Sequence, residues 1–243
     1  MRILALDTST EYCSVALWQD GAVVERCELV GQKHSETLVA MLDALLLETE
    51  VKLAQFDGIA FGKGPGSFTG VRIACGVTQG LALGANLPVV GVCTLEALAE
   101  ASGKSRVIAA LDARMGEIYH AVYERQHDGW MTVSEPCLCK PENAPKVGNL
   151  LSAKANAELT PPPVVGGDWF GVGSGFAAYG AVLEAIYGGH LQGSNGAAVP
   201  QAAAIAALGA VQFSLGRGVD GAEALPLYLR DKVALKTTER LLR

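Results

Sequence analysis

Residues 5–18 read ALDTSTEYCSVALW and residues 110–123 read ALDARMGEIYHAVY, and the two strings align without a gap. Each is an apolar run closing on an aspartate (Asp7, Asp112), a polar bend and a second apolar run, which is the pattern of a β-hairpin. In the first copy residues 3–7 and 14–18 are the paired strands, and residues 22–29, beyond the turn at Gly21, supply a third. The match continues downstream. Gly62, Gly64 and Gly66 fall on Gly171, Gly173 and Gly175, each set ending an apolar run and opening a helical pattern. Self-similarity over half a chain predicts two domains of one topology, because solenoid repeats are far shorter. The expected division is residues 1–102 with a C-terminal segment of about 218–243 for the first domain, and 103–217 for the second, joined by a linker at 101–106.

Outward from this frame, residues 34–48 change period, with Leu38, Met41, Leu42, Leu45 and Leu46 at helical spacing. Val39, Ala44 and Leu47 widen the stripe. A helix apolar over so much of its circumference is either deeply buried or part of a protein interface. Residues 58–62 form a short apolar strand that runs into the loop 63–70, and a second helix follows with Thr69 as its expected N-cap. Within it Gly76, Gly80 and Gly84 recur every fourth residue. Interior glycines each cost about 1 kcal/mol relative to alanine, so a row of them predicts the close approach of another backbone. The alternative is a C-cap at Gly84 and two unrelated glycines. Asn86-Leu87-Pro88 is a turn. The second copy has a less regular middle, with Pro136, Pro141, Pro145 and a breaker at 161–163, and the extended piece 225–230 is expected to cross back onto the first domain.

Composition limits the function classes. Among 243 residues half are hydrophobic and 18% charged, which excludes disorder and favours well-buried layers. Nineteen basic against twenty-five acidic residues give a net charge of −6, the wrong sign for gripping a phosphate backbone by bulk electrostatics, so contact with nucleic acid is expected to be local or through a partner. The six cysteines, at 13, 27, 75, 93, 137 and 139, show no CxxC spacing. With no signal peptide evident they read as thiols in a reducing compartment, and a cytoplasmic location is expected. Cys137 and Cys139 lack the second ligand pair that structural zinc needs. Residues 73–95 carry no charge and are long enough for a bilayer, but glycines, Asn86 and Pro88 interrupt them, so no membrane association is expected.

A strand ending in aspartate, followed by Thr8 and Ser9 at a bend, suits phosphate and magnesium: the carboxylate holds a hydrated metal while hydroxyls and amides meet phosphate oxygens. Two such copies facing each other would sandwich a nucleotide. The predicted fold is therefore α/β, with two duplicated domains of the actin, Hsp70 and sugar-kinase (RNase H-like) type, mixed sheets flanked by helices. Asp7, Thr8, Ser9, Asp112 and Arg114 mark the candidate nucleotide cleft, now vestigial because Arg114 and Met115 crowd the second bend. The alternative is that Asp7 and Asp112 only cap their bends. The loop 64–70 could hold an anion on its free amides, although it lacks the lysine and spacing of a P-loop. No GxSxG or HExxH string occurs.

LALDTST (4–10), His34-Ser35-Glu36, GKGPGSFTGVR (62–72), LDARMGEIY (111–119) and Tyr228-Leu229-Arg230 together resemble the TsaB (YeaZ) family, over essentially the whole chain and least between about 132 and 163. The resemblance implies a bacterial protein needed to make N6-threonylcarbamoyladenosine beside the tRNA anticodon. It implies a non-catalytic partner of a TsaD-like subunit, which transfers threonylcarbamoyl from its adenylate, with a TsaE-like ATPase assisting and tRNA met indirectly. TsaD-like proteins carry an HxxxH metal pair, and here His34 has Leu38 at the matching position, so neither metal nor catalytic residues are expected. No cofactor of its own is expected, and weak ATP or ADP binding within the complex stays open. The resemblance places the partner interface on the first two helices, at Leu38, Met41, Leu42, Leu45, Gly76, Val77, Gly80 and Leu81, where a homodimer would form without the partner. An active ATP-dependent phosphotransferase of the same fold is the alternative, and a peptidase a remote third, since no nucleophile, base and orienter set supports it.

Overall fold

A computed structural model describes residues 1–127, 129–147 and 169–230. The breaker at 161–163 and the tail from residue 231 lie outside the described residues. The first copy is built of β1 (Arg2–Asp7), β2 (Tyr12–Gln19), β3 (Ala22–Leu29), α1 (His34–Thr49), β4 (Gly58–Gly64), α2 (Phe68–Ala85) and β5 (Val89–Cys93). Then α3 (Thr94–Ala101) leads to the second copy: β6 (Arg106–Asp112), β7 (Ile118–Gln126), β8 (Gly129–Cys139), β9 (Trp169–Val172), α4 (Ser174–Tyr187) and β10 (Leu191–Asn195), followed by α5 (Ala202–Ser214).

The strand orders β3-β2-β1-β4-β5 and β8-β7-β6-β9-β10 are the same order twice. In each sheet the first three strands are antiparallel and the last two run parallel to the first. The duplication read from the two aspartate hairpins is thus a duplication of fold. One detail differs from the gapless alignment. Asp7 pairs with Ser14 but Asp112 pairs with Ile118, so the second bend is one residue tighter. It closes through Arg114, Met115 and Gly116, all with positive φ, a conformation that two non-glycine residues in a row adopt only where the turn demands it.

β1 and β4 are apolar and buried on both faces, as strands between two helical layers must be. On one face α1 and α2 pack side by side, with Leu38, Met41, Leu42, Leu45, Ala74 and Cys75 against Leu4, Leu6, Val15, Ile59 and Phe61. The other face receives α5, whose alanines let it sit close to Ile3, Ala5, Ala16 and Ala60. The second sheet has α4 over Ile108, Ala110, Ile118 and Val122 and α3 over Val107, Ala109, Leu111 and Ala121. α3 and α5 meet between the two sheets.

α3, which follows the first sheet, packs on the second sheet, while α5, which follows the second sheet, packs on the first. Polar groups of the first sheet fix α5 there, since Ser14 Oγ and Glu25 Oε1 accept from the amides of Ala202 and Ala203 at the helix start. The N-cap of α2 is Ser67, whose Oγ accepts from Gly70 N, and not Thr69; the helix ends at Asn86 in the left-handed conformation, past Gly84. In the less regular middle of the second copy Pro136 lies within β8, at the sheet edge, where it needs no ladder donor.

Candidate functional site

The bends at the carboxyl ends of β1 and β6, the loop before α2 and the start of α4 face one another across a cleft of about 1100 Å³. Its walls include Ser9, Gly66, Phe68, Arg114, Ser174 and Tyr228. A nucleotide would fit the space, since ligand pockets commonly run to several hundred Å³. The chemistry at its base is of a different kind.

Asp7 is not on the cleft wall but beneath it, fully buried, with Oδ1 accepting from Ser9 N at 3.0 Å and Ser9 Oγ at 2.8 Å. Its Oδ2 has no partner among the described residues, and Gly62 lies against it so closely that a Cβ there would overlap the oxygen. Burial raises its pKa to about 6, against the lowering pull of the two Ser9 hydrogen bonds. Thr8 is equally buried and gives its hydroxyl to the Gly70 carbonyl at 2.6 Å. The Ser9 carbonyl accepts from Ser67 N at 2.7 Å. A Cβ at Gly66 or Gly70 would collide with the carbonyls of Ser9 and Thr8. These glycines therefore let the 64–70 loop close on the 7–9 bend of its own chain. What approaches Gly66 and Gly70 within the chain is the backbone of the 8–9 bend.

The second bend is tied as well. Asp112 Oδ1 accepts from Arg114 N at 2.9 Å, and Oδ2 pairs with the Arg114 guanidinium at 3.0 Å. Both aspartates thus cap their bends. The arginine itself projects from the bend, 86% exposed. His34, at the first turn of α1, is buried with Nε2 3.2 Å from the Tyr12 carbonyl, and Leu38 one turn on is core.

The tail crosses this cleft, touching both halves. Leu227 N donates to the Lys63 carbonyl at 2.6 Å on the first domain. Arg230 donates to the Ala113 carbonyl at 3.0 Å and pairs with Glu117 at 2.7 Å on the second. Between them Arg72 lies 3.7 Å over the Phe68 ring and donates through Nε to Tyr228 Oη at 2.6 Å. The fold thus joins two distant strings, GSFTGVR (66–72) and Tyr228-Leu229-Arg230. Their separation of 156 residues hides the pairing, and only the co-occurrence of two arginines and two aromatics hints at it.

The second candidate surface is the outer face of α1 and α2. Leu38, Met41, Leu42 and Leu45, expected at a partner interface, are buried in the core of the first sheet. The stripe is wide because the helix is apolar on both sides, and the sheet takes the side bearing the larger cluster. Outward-facing are Val39, 52% exposed, and Leu47, 79% exposed. On α2, Gly76 and Gly80 are exposed, with Val77 and Leu81 half-buried beside them. Outside the helix's own backbone, no atom of the described residues comes within 4 Å of a Cβ placed at Gly76, Gly80 or Gly84, so among the described residues nothing supplies the close backbone predicted for the glycine row.

Comparison with known proteins places this arrangement. A family model described as TsaD, tRNA N6-adenosine threonylcarbamoyltransferase, matches residues 26–237. The chain is 39% identical over 241 residues to the tRNA threonylcarbamoyladenosine biosynthesis protein TsaB of Escherichia coli (strain K12), covering 97% of each. The chain belongs to the TsaB family. The TsaB protein of Haemophilus influenzae is 36% identical, with 97% and 96% of the two chains covered. Among solved structures, YeaZ from Pseudomonas aeruginosa superposes with a TM-score of 0.79 at 35% identity, over 94% of this chain and 99% of that one. Another Pseudomonas aeruginosa structure, described as an uncharacterized protein with similarity to peptidase YEAZ, gives a TM-score of 0.80 at 36% identity. The duplicated actin-like fold is that of the TsaB family throughout, and among the described residues no helix is long and apolar enough to cross a membrane.

Proposed function

We propose that this chain takes part in making threonylcarbamoyladenosine in tRNA as a non-catalytic accessory subunit, the partner of a TsaD-like transferase assisted by a TsaE-like ATPase. One observation carries the reading: both phosphate-type bends are tied by the chain's own groups, while the glycine face of α2 is left open. A bend whose carboxylate is buried or ion-paired, and whose glycines 66 and 70 are packed against backbone, is a poor seat for a metal-bound γ-phosphate. An open helix face with a row of glycines and exposed Val39 and Leu47 offers a second helix close approach and apolar area. The docking surface is therefore drawn at Val39, Leu47, Gly76, Val77, Gly80 and Leu81, and the same face would pair two copies where the partner is absent. Contact with tRNA runs through the assembled complex, in keeping with the net charge of −6, and ATP or ADP binds weakly at most in the cleft.

Reconstitution tests this directly. Unmodified tRNA, the threonylcarbamoyl adenylate and a TsaD-like subunit are combined with or without this chain. Modification is expected only when both proteins are present, and Gly80→Leu is expected to abolish it while the circular dichroism and melting temperature of the chain hold. Modification by this chain alone, or steady ATP hydrolysis by it with magnesium, would overturn the accessory role in favour of an enzyme.

A further inference from the structure

The single charged residue of α2 is Arg72, one turn before Gly76 and two before Gly80. Positions four apart on a helix turn by only about 40°, so Arg72 continues the open side that carries the glycines, about 12 Å along the axis from Gly80. Beside it, α1 has no Lys or Arg and carries Glu36, Asp43 and Glu48. Glu48 pairs with Arg26 of β3, whereas Glu36 and Asp43 are exposed and enter no ion pair among the described residues. The face is thus electrically divided, with acids on α1 and one cation on α2.

Arg72 is exposed but not loose. Its guanidinium lies 3.7 Å over the Phe68 ring and 5.6 Å from the centre of the Tyr228 ring, and Nε donates to Tyr228 Oη at 2.6 Å. Tyr228 is itself held from both sides, by Leu227 on Lys63 and by Arg230 on Glu117. A free arginine loses rotamer freedom when it is captured, and here a ring and a hydroxyl have already confined it. With Nε engaged, Nη1 and Nη2 are left as a fork, and among the described residues no carboxylate pairs with it. Nor does Arg72 line the cleft. A confined fork without a counter-charge is suited to a carboxylate, which it meets through two parallel N–H···O bonds.

We propose that Arg72, held by Phe68 and the tail residue Tyr228, is the ionic anchor that sets the register of the partner on the α1–α2 face, by receiving an aspartate or glutamate of the TsaD-like subunit. The inference rests on the docking face drawn above and extends it past the glycine row to the tail. A helix seated along Gly76 and Gly80 would carry that acid about eight residues, or two turns, from the residue lying on Gly80, because 12 Å is eight residues of helix. Rolled towards α1, the same acid would meet Glu36 and Asp43, and turned end for end it would meet exposed Leu47 and Leu83. The charge division therefore rejects wrong orientations as well as rewarding one. Phe68 and Tyr228, 36% and 45% exposed, would be covered with the ion pair, and aromatic residues beside an arginine are the composition of an interface hot spot.

The test measures binding of the full chain to the TsaD-like subunit by calorimetry at two salt concentrations. Arg72→Glu is expected to weaken binding by about tenfold or more, while the melting temperature of the isolated chain holds. Arg72→Gln should weaken it less and flatten its dependence on salt, since a charge pair has been lost. Tyr228→Phe keeps both charge and ring but frees the guanidinium, so a loss of about threefold with the salt dependence of wild type is expected. An arginine at one acidic position of the partner's docking helix should restore binding to Arg72→Glu. Gly80→Leu separates the two levels: if it leaves binding intact the docking face itself is wrong, whereas if it abolishes binding and Arg72→Glu does not, only the anchor falls. Failure of every acid-to-arginine change on the partner helix to restore binding would also overturn the anchor. So would an Arg72→Glu chain that loses its self-association but binds the partner unchanged, which would give the arginine to a second copy. Should Arg72→Glu fail to fold, Arg72→Gln and its salt dependence decide in the same way.

Discussion

Replacing Asp7 by Asn removes one ionisable carboxyl from a site where nothing stabilises its charge fully. Oδ1 accepts twice from Ser9, but Oδ2 is buried without a partner and faced by Gly62. In the unfolded chain the carboxyl ionises at an ordinary 3.8, whereas in the fold it holds its proton up to about 6. The raised value sets the sign. Between those two pH values unfolding releases a proton, so rising pH favours the unfolded chain; the penalty is absent below 3.8, grows to about pH 6 and is constant above. Each pH unit of difference is worth about 1.4 kcal/mol, which makes the penalty at neutral pH about 3 kcal/mol. Asn keeps the shape and the Oδ1 acceptor and never ionises. Whatever constant offset its amide brings, the stability of Asp7→Asn relative to wild type is expected to rise by about 2–3 kcal/mol between pH 4 and pH 7. Urea melts of both proteins across that range measure it, since the difference cancels every other titrating group. A difference that stays flat with pH would refute the reading of Asp7 as a buried, underpaired carboxyl, and would reopen it as a solvated ligand of the cleft.

Other substitutions separate core from surface and closure from ornament. Leu42→Asp places a charge in the core of the first sheet and should unfold the chain, seen as lost near-ultraviolet dichroism, while Leu45→Ala should cost about 2–5 kcal/mol in a denaturant melt. Gly80→Ala, on an open helix face, should instead stabilise the isolated chain by about 0.5–1 kcal/mol, because nothing opposes the new methyl and the helix gains propensity. Gly70→Ala drives a Cβ into the Thr8 carbonyl and should destabilise by several kcal/mol or prevent folding. Arg230→Ala removes the ion pair to Glu117 and the bond to Ala113, at a cost of about 1–3 kcal/mol, and should open the tail to proteolysis near Leu225 well before the domains melt.

The two halves were legible because a hairpin writes itself into local sequence. Alternation around Asp7 and Asp112, and the glycines that close β4 and β9, recur with the same spacing, and α1 shows its helical period within one residue of its ends. The inward side of α1 was not legible. Leu38, Leu42 and Leu45 differ from Val39 and Leu47 in no chemical property that the sequence displays, and only the position of the sheet chooses between them. The sheet to which α5 belongs was hidden for a related reason. An alanine-rich helix packs on any apolar surface, and the groups that select the first sheet, Ser14 and Glu25, lie more than 170 residues upstream. Ser67 and Thr69 are both hydroxyl residues near one helix start, so composition could not separate them as caps.

The loop 64–70 carries a signature with two physical causes. A glycine-rich loop between a strand and a helix can bring backbone close to a phosphate, but the steric requirement is the same when the close neighbour is another stretch of backbone. At Gly66 and Gly70 that neighbour is the 8–9 bend, and in the second half Gly173 and Gly175 stand in the same relation to Ala110. The glycines therefore mark where the loop before the helix meets the end of the first strand, in both copies, whether or not a ligand lies above. What separates a binding loop from a structural clasp is the fate of its polar groups. Here the Asp7 carboxyl is covered, the Thr8 hydroxyl is spent on Gly70, the Ser67 amide on Ser9, and Asp112 on Arg114. Those four groups are engaged within the chain itself. On the outer face of α2, by contrast, a Cβ at Gly76, Gly80 or Gly84 would meet no atom of the described residues beyond the helix's own backbone, and it is this open face that the proposed docking surface rests on.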